Sequence, residues 1–185
     1  MNTIHLTPLA RAAALCAGAV LFAGSAFAAG DKSAYDQVRT SSKAAYEAAG
    51  KRCDAQSGNA RDICVAEAKA VRTKADLEAE ASYKNTAKAR EHAAHESAKA
   101  DYDVAKERCD DKAGNAKDVC VAEAKALMTK AQADAKATKK SAEARADASK
   151  DKRQADYKVA AEKCDAMSGD AKDGCIKQAK ARYGM

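Results

Sequence analysis

One seven-residue phrase occurs three times in the chain and ends each time on a cysteine. It reads GNARDIC at residues 58–64, GNAKDVC at 114–120 and GDAKDGC at 169–175. An earlier cysteine precedes each phrase, with ten residues between the two. The pairs are Cys53/Cys64, Cys109/Cys120 and Cys164/Cys175. Because the copies are spaced by 56 and then 55 residues, the pattern predicts one local unit used three times.

The phrase combines a helix end with a helix start. A glycine just past a helix takes the left-handed conformation that ends it. These glycines are Gly58, Gly114 and Gly169. Each is followed by a preferred N-cap residue, and an aspartate three positions later completes the spacing of a capping box. These predicted caps are Asn59, Asn115 and Asp170. Since the link is so short, we expect antiparallel neighbouring helices.

Residues 1–28 are typical of a secretory signal peptide. Arg11 supplies a positive charge, an apolar run covers residues 12–22, and Ala26-Phe27-Ala28 has the small-x-small form of a cleavage site. The alternative is a retained membrane anchor, because residues 12–29 are apolar or small throughout. Cleavage before Ala29 removes one charged residue, so the net charge falls only from +6 to +5.

The exported chain has no Pro, Phe or Trp, because its only proline and both phenylalanines lie in the leader. Alanine, lysine, glutamate and aspartate dominate, and most of these residues favour helix. Few large aliphatic side chains remain to fill a globular core. We therefore predict an all-α protein of elongated helical hairpins, exported to the periplasm or secreted.

Six cysteines remain after Cys16 is removed with the leader, and an even number in an exported chain favours disulfides. The members of a pair lie symmetrically about the predicted turn, and symmetric residues stand level in an antiparallel hairpin. The alternative, a closed zinc site, needs four ligands, whereas each pair offers two thiols without a nearby histidine. We predict three disulfides, each worth about 3 kcal/mol in the chain-entropy model.

Counting outward from each cysteine pair predicts the contact seam of a hairpin. Four residues out, alanine should face alanine; seven residues out, a tyrosine should face the other helix. The inner pairs are Ala49/Ala68, Ala105/Ala124 and Ala160/Ala179. The outer pairs are Tyr46/Val71, Tyr102/Leu127 and Tyr157/Arg182. These positions delimit three hairpin units, at about 46–71, 102–127 and 157–183.

The resulting layout is one domain, residues 29–185, of about four helices. The predicted helices cover residues 32–57, 59–113, 115–168 and 170–183. The second and third would each be roughly 80 Å long. The first and third turns would lie at one end, where the outer helices would form a local three- or four-helix bundle.

The middle of the long helices has two interpretations. An eleven-residue pattern of small residues predicts a continued seam. Its pairs are Ala98/Ala131, Ala94/Ala135, Ala87/Ala142 and Tyr83/Ala146. Burying alanine gains little, however, so residues 84–101 and 131–150 could instead fray, or form a single helix held by charge pairs.

The segment CDAQSGNARDICVAEAKA, residues 53–70, resembles a repeat of uncharacterised exported proteobacterial proteins that are rich in alanine and lysine. Residues 72–157 are similar in composition to the helical middle domain of TolA, a resemblance that implies an envelope-spanning rod. The composition, rich in alanine and lysine, is also similar to that of late-embryogenesis-abundant desiccation proteins. The cysteine hairpins set this chain apart from both of these families.

No catalytic pattern is present, and neither an enzyme activity nor a cofactor is expected. His92 and His95, beside Glu91 and Glu96, could hold a transition metal, although charged helix surfaces commonly carry such residues. We expect a non-enzymatic periplasmic rod that acts as a spacer or scaffold in the cell envelope. The alternative is a soluble stress-protective or metal-buffering protein. Partners would be envelope proteins, peptidoglycan or a second copy, with no specific nucleic acid and no stable membrane span after cleavage.

Overall fold

The computed structural model describes residues 30–185, and the predicted signal peptide lies outside this range. The described chain is all-helical and contains no strand, which confirms the predicted fold class. Its five helices are α1 Lys32–Cys53, α2 Gly58–Lys84, α3 Ala87–Cys109, α4 Gly114–Cys164 and α5 Gly169–Tyr183. Long runs of Ala, Lys, Glu and Arg favour these helices, because these residues have the highest intrinsic helix propensities.

Each helix contacts only its neighbours along the chain. Across residues 30–185 the packed pairs are α1 with α2, α2 with α3, α3 with α4, and α4 with α5. The prediction of a local helix bundle is therefore wrong. Alanines, the first cysteine of each pair and Val104 form the buried apolar set, and these small side chains allow close helix contacts without an enclosed core.

A chain reversal at Asn85–Thr86 divides the predicted second helix into α2 and α3. Asn85 adopts a left-handed conformation with φ 45°, which asparagine tolerates better than most residues. Thr86 is the N-cap of α3, and its hydroxyl accepts a hydrogen bond of 3.0 Å from the Ala89 amide. The Arg90 guanidinium donates to Asn85 Oδ1 at 2.9 Å. The expectation of four helices with a disulfide at every turn is thus corrected to five helices and one turn without a disulfide.

This reversal changes where the cysteine turns lie. The Glu67 carboxylate on α2 pairs with Arg108 on α3 at 2.6 Å, and Lys74 pairs with Asp101, so the two helices are antiparallel. The turns after α1 and after α3 consequently lie at the same end of the layer formed by the successive helices α1 to α4. The turn between α4 and α5 lies beyond the opposite end, in contrast to the predicted arrangement.

Helix α4 is the one long helix among the described residues. It has 51 residues, a length of about 76 Å. Helix α3 covers its first half, where Lys139 pairs with Glu91 at 3.2 Å and Ala135 is buried. All residues from 143 to 156 are exposed, and α5 packs on the remaining end.

Both interpretations of the middle region are therefore correct in part, since helix α3 packs and residues 131–150 pack only as far as Ala142. The predicted residue pairs are wrong in detail, because Ala94, Ala131 and Ala146 are exposed and Tyr83 stacks on Tyr35 of α1.

Candidate functional site

The three cysteine turns are the most regular feature of the molecule. Cys53–Cys64, Cys109–Cys120 and Cys164–Cys175 form disulfides, with Cα atoms 5.5, 5.7 and 5.7 Å apart. The predicted pairing is therefore confirmed. The first cysteine of each pair is at most 1% exposed, whereas the second is half-buried. Disulfides of this kind persist in oxidising, extracytoplasmic compartments.

The turns themselves differ from the predicted capping box. Each preceding helix ends at its first cysteine, and four residues connect it to a glycine that begins the next helix. Gly58, Gly114 and Gly169 have positive φ values of 57°, 53° and 56°. Asn59, Asn115 and Asp170 lie second in their helices and are not the N-caps. The N-cap positions hold Ser57, Ala113 and Ser168, none of which makes a side-chain capping hydrogen bond.

An ion pair spans each cysteine turn, between the aspartate after the first cysteine and the basic residue three positions after the glycine. The pairs are Asp54–Arg61 at 3.0 Å, Asp110–Lys117 at 2.9 Å and Asp165–Lys172 at 2.9 Å. The Asp165 carboxylate raises the pKa of Lys172, through their hydrogen bond first and their charge attraction second. The recurrence of Asp and Lys or Arg at these two positions was a usable sequence signal for the pairing.

The predicted seam holds close to the disulfides and fails farther out. Ala68, Ala124 and Ala179 are between 7% and 9% exposed. Val71 and Leu127, by contrast, are each 66% exposed. On α2 the contact continues in four-residue steps, so the ring of Tyr46 lies 5.5 Å from the Arg72 guanidinium instead of facing Val71.

An open groove of about 660 Å³ runs between α2 and α3. It extends from Arg61 to Thr73 on α2 and from Glu96 to Glu107 on α3. Four basic and four acidic side chains line it, interspersed with alanines, Thr73 and Val65. Because basic and acidic side chains alternate along the groove, its electrostatic potential favours neither an anion nor a cation.

The opposite end of the first hairpin carries a cluster of aromatic and charged residues. The rings of Tyr35 and Tyr83 stack with centroids 5.3 Å apart. The Arg39 guanidinium donates a hydrogen bond of 2.9 Å to the Tyr35 hydroxyl. That hydrogen bond raises the pKa of Arg39. The hydrogen bond between Glu80 and Lys84 lowers the pKa of Glu80 and raises the pKa of Lys84. These contacts hold the first turn of α1 against the last turn of α2. The sequence pattern does not predict them.

The two candidate metal-binding histidines lie on the exposed surface of α3. His95 Nδ1 is 3.1 Å from Glu96 Oε1, while Glu91 is engaged by Lys139 across the helix interface. Among residues 30–185, no group of three His, Cys, Asp or Glu side chains is arranged to hold a metal ion. The structure therefore does not bring His92 and His95 together with a third ligand.

The largest described opening, the groove between α2 and α3, is an open surface groove between two helices. None of the helices among residues 30–185 has the length and apolarity needed to cross a bilayer. No protein-family model matches the chain, and neither curated proteins nor solved structures show significant similarity to it.

Proposed function

We propose that the protein is a non-enzymatic helical spacer or scaffold in the cell envelope, exported to the periplasm by its N-terminal signal. The observation that supports this proposal best is α4. It contacts α3 along its first half and α5 at its far end, with a bare helical segment between them. A helix of about 76 Å in this position separates two disulfide-bonded regions by a fixed distance.

The charge distribution also supports a structural role. Lysines and arginines alternate with acids along the exposed helix faces, which favours a hydrated surface over one broad basic patch. The disulfides add stability where the small side chains of the layer contribute little apolar burial. These properties suit a stiff element that holds other envelope components apart.

Small-angle scattering of the oxidised protein tests the spacer geometry. We expect a maximum dimension of at least about 76 Å, the length of α4. A compact particle with a radius of gyration of about 15 to 16 Å, typical of a globule of this size, would contradict the proposal.

Cross-linking in the envelope tests the role itself. We expect partners at both ends of α4, and we expect deletion of residues 145–155 to impair their joint capture. Eleven residues make slightly more than three helical turns, so the deletion shortens α4 by about 16 Å and rotates its end by only about 20°. A control with Ala144→Ser and Ala148→Ser preserves the length. Free release of the protein without envelope partners, and its induction by drying or metal, would instead favour the stress-protective or metal-buffering alternative.

A further inference from the structure

The contact between α2 and α3 is a pairing of two cysteine hairpins. Glu67 and Lys74 of α2 pair with Arg108 and Asp101 of α3, respectively. In both pairs the residue numbers add to 175, so the two helices keep one antiparallel register. Val104 lies within this contact and is 8% exposed.

Helix α4 carries both halves of this contact surface. Glu67 and Lys74 stand three and ten residues after Cys64, and Glu123 and Lys130 stand at the same distances after Cys120. Asp101 and Arg108 stand eight residues and one residue before Cys109, and α4 has a matching acid and base before Cys164. These are Asp156 and Lys163. The first half of α4 thus matches the surface of α2, and its last part matches the surface of α3.

The matching residues of α4 are uncovered. Val159, the counterpart of Val104, is 56% exposed. Ala70 and Ala93 are each 7% exposed within the α2–α3 region. Their counterparts Ala126 and Ala148 are exposed.

Both surfaces lie on one side of the helix. At 100° per residue, Glu123, Lys130, Asp156 and Lys163 fall within an arc of about 80°. We call this face the α4 stripe, defined by those four residues with Asp134, Lys152 and Val159. Because it presents one half of a known contact and then the other, it is complementary to itself in the antiparallel direction.

We infer that two copies of the protein associate through their α4 helices, antiparallel and related by a twofold axis near Glu143. The α2–α3 register, transferred to α4, pairs residues whose numbers add to 286. This register places Glu123 opposite Lys163 of the second copy, Lys130 opposite Asp156, and Asp134 opposite Lys152. Each pair occurs twice by symmetry, and the stripe contains no like-charge pair.

The exposed apolar side chains of α4 and its following turn fit the same register. Val119, Leu127, Val159 and Met167 are between 47% and 66% exposed. The register sets Leu127 opposite Val159 of the second copy, and Val119 opposite Met167. The ion pairs therefore select the register, over a contact of about 60 Å along each helix. Among the apolar residues, Val159 matches the buried Val104, whereas the α2 counterpart of Leu127, Val71, stays 66% exposed beside the α2–α3 contact.

Zero-length carbodiimide cross-linking of the oxidised protein tests this arrangement directly. Lys130 and Asp156 lie 26 residues apart on one straight helix, about 39 Å, so an isopeptide bond between them must join two copies. We expect mass spectrometry to identify Lys130–Asp156 or Glu123–Lys163 links in a species of twice the chain mass. A monomer in sedimentation up to millimolar concentration, or a dimer linked only through other helices, would overturn the proposal.

Charge reversal provides the matched series. Lys130→Glu places two carboxylates together at both symmetric positions, and we expect the dissociation constant of the dimer to rise about tenfold or more. Combining it with Asp156→Lys should restore association, whereas Lys136→Glu, on the opposite side of α4, should leave it unchanged. Circular dichroism checks that all variants remain helical. Equal weakening by Lys130→Glu and Lys136→Glu would reject the stripe as the interface.

Discussion

The hydroxyl of Ser42 on α1 donates a hydrogen bond of 2.6 Å to Asp76 Oδ1 on α2. Ser42 is 8% exposed, and it is the buried polar residue of the described chain. Asp76 also lies 3.6 Å from the Arg72 Nε, whose guanidinium stands over Tyr46. A polar contact therefore joins the first two helices in the middle of their interface, beyond the predicted seam of residues 46–71.

Replacing this serine tests how much the polar contact stabilises the hairpin. Ser42→Ala leaves the Asp76 carboxylate without one donor, and we expect a loss of about 1 kcal/mol in the free energy of unfolding. Urea denaturation at neutral pH measures it. Ser41→Ala is the control, because that exposed hydroxyl bonds only to the Val38 carbonyl of its own helix. Equal effects of the two substitutions would show that the interhelical bond contributes nothing.

The reversal at Asn85 gives a second prediction. Its φ of 45° is strained for residues with a Cβ, so Asn85→Ala should cost about 1 kcal/mol. Asn85→Gly should be close to neutral, since glycine relieves the backbone strain while losing the bond to Arg90. Thermal unfolding of both variants separates the two contributions. Greater stability of the alanine variant than of the glycine variant would mean that α2 and α3 can join into one continuous helix.

That reversal also marks the main limit of sequence reasoning for this fold. The cysteine spacing predicted three hairpins and three disulfides, because symmetric positions about a turn must stand level. Asn85 and Thr86 carry the same kind of stop-and-start signal without glycine or cysteine, in a stretch whose composition favours a continuous helix. The packing of α2 on α3, which includes the Glu67–Arg108 and Lys74–Asp101 pairs, is a long-range contribution to this reversal that the local sequence does not reveal.

The seam illustrates a second limit. Ala68 and its counterparts were predicted correctly, since four residues from a disulfide the geometry leaves little freedom. Seven residues out, the predicted partner Val71 has rotated away from the interface, and Arg72 covers Tyr46 instead. The face that each helix turns toward its partner depends on the position of the disulfide around the helix circumference. The spacing of the cysteines in the sequence does not determine that position.

A third prediction concerns pH. The hydrogen bond from Lys84 keeps the pKa of Glu80 below its ordinary value of 4.5. The ionised form is thus favoured in the folded state, so the stabilisation is present above pH 4.5 and is lost as the pH falls through the folded pKa. Because more than a third of each side chain is exposed, we expect only a small effect on the free energy of unfolding at neutral pH.

Carboxyl NMR titration measures this directly. The midpoint for Glu80 should lie below that of an unfolded reference and should rise toward it in Lys84→Gln. Lys74→Gln is the control, because Lys74 pairs with Asp101 and lies away from Glu80. An unchanged midpoint in Lys84→Gln would contradict the assigned cause.

The last prediction follows from the unequal support of the three disulfides. Helix α5 has 15 residues and packs on α4 alone, and an isolated helix of that length is marginal in water. Removing Cys164–Cys175 by double alanine substitution should therefore release α5. Hydrogen exchange in residues 169–183 should accelerate about a hundredfold, because the lost constraint is about 3 kcal/mol.

The matched variant removes Cys109–Cys120. There, α3 remains packed between α2 and α4 through Arg108, Val104 and the Glu91–Lys139 pair, so its helices should stay protected. Only the residues close to the turn should exchange faster. If the amides of α5 remain protected without the disulfide, contacts other than the one with α4 must hold α5 in place. That result would contradict the arrangement in which α5 packs on α4 alone.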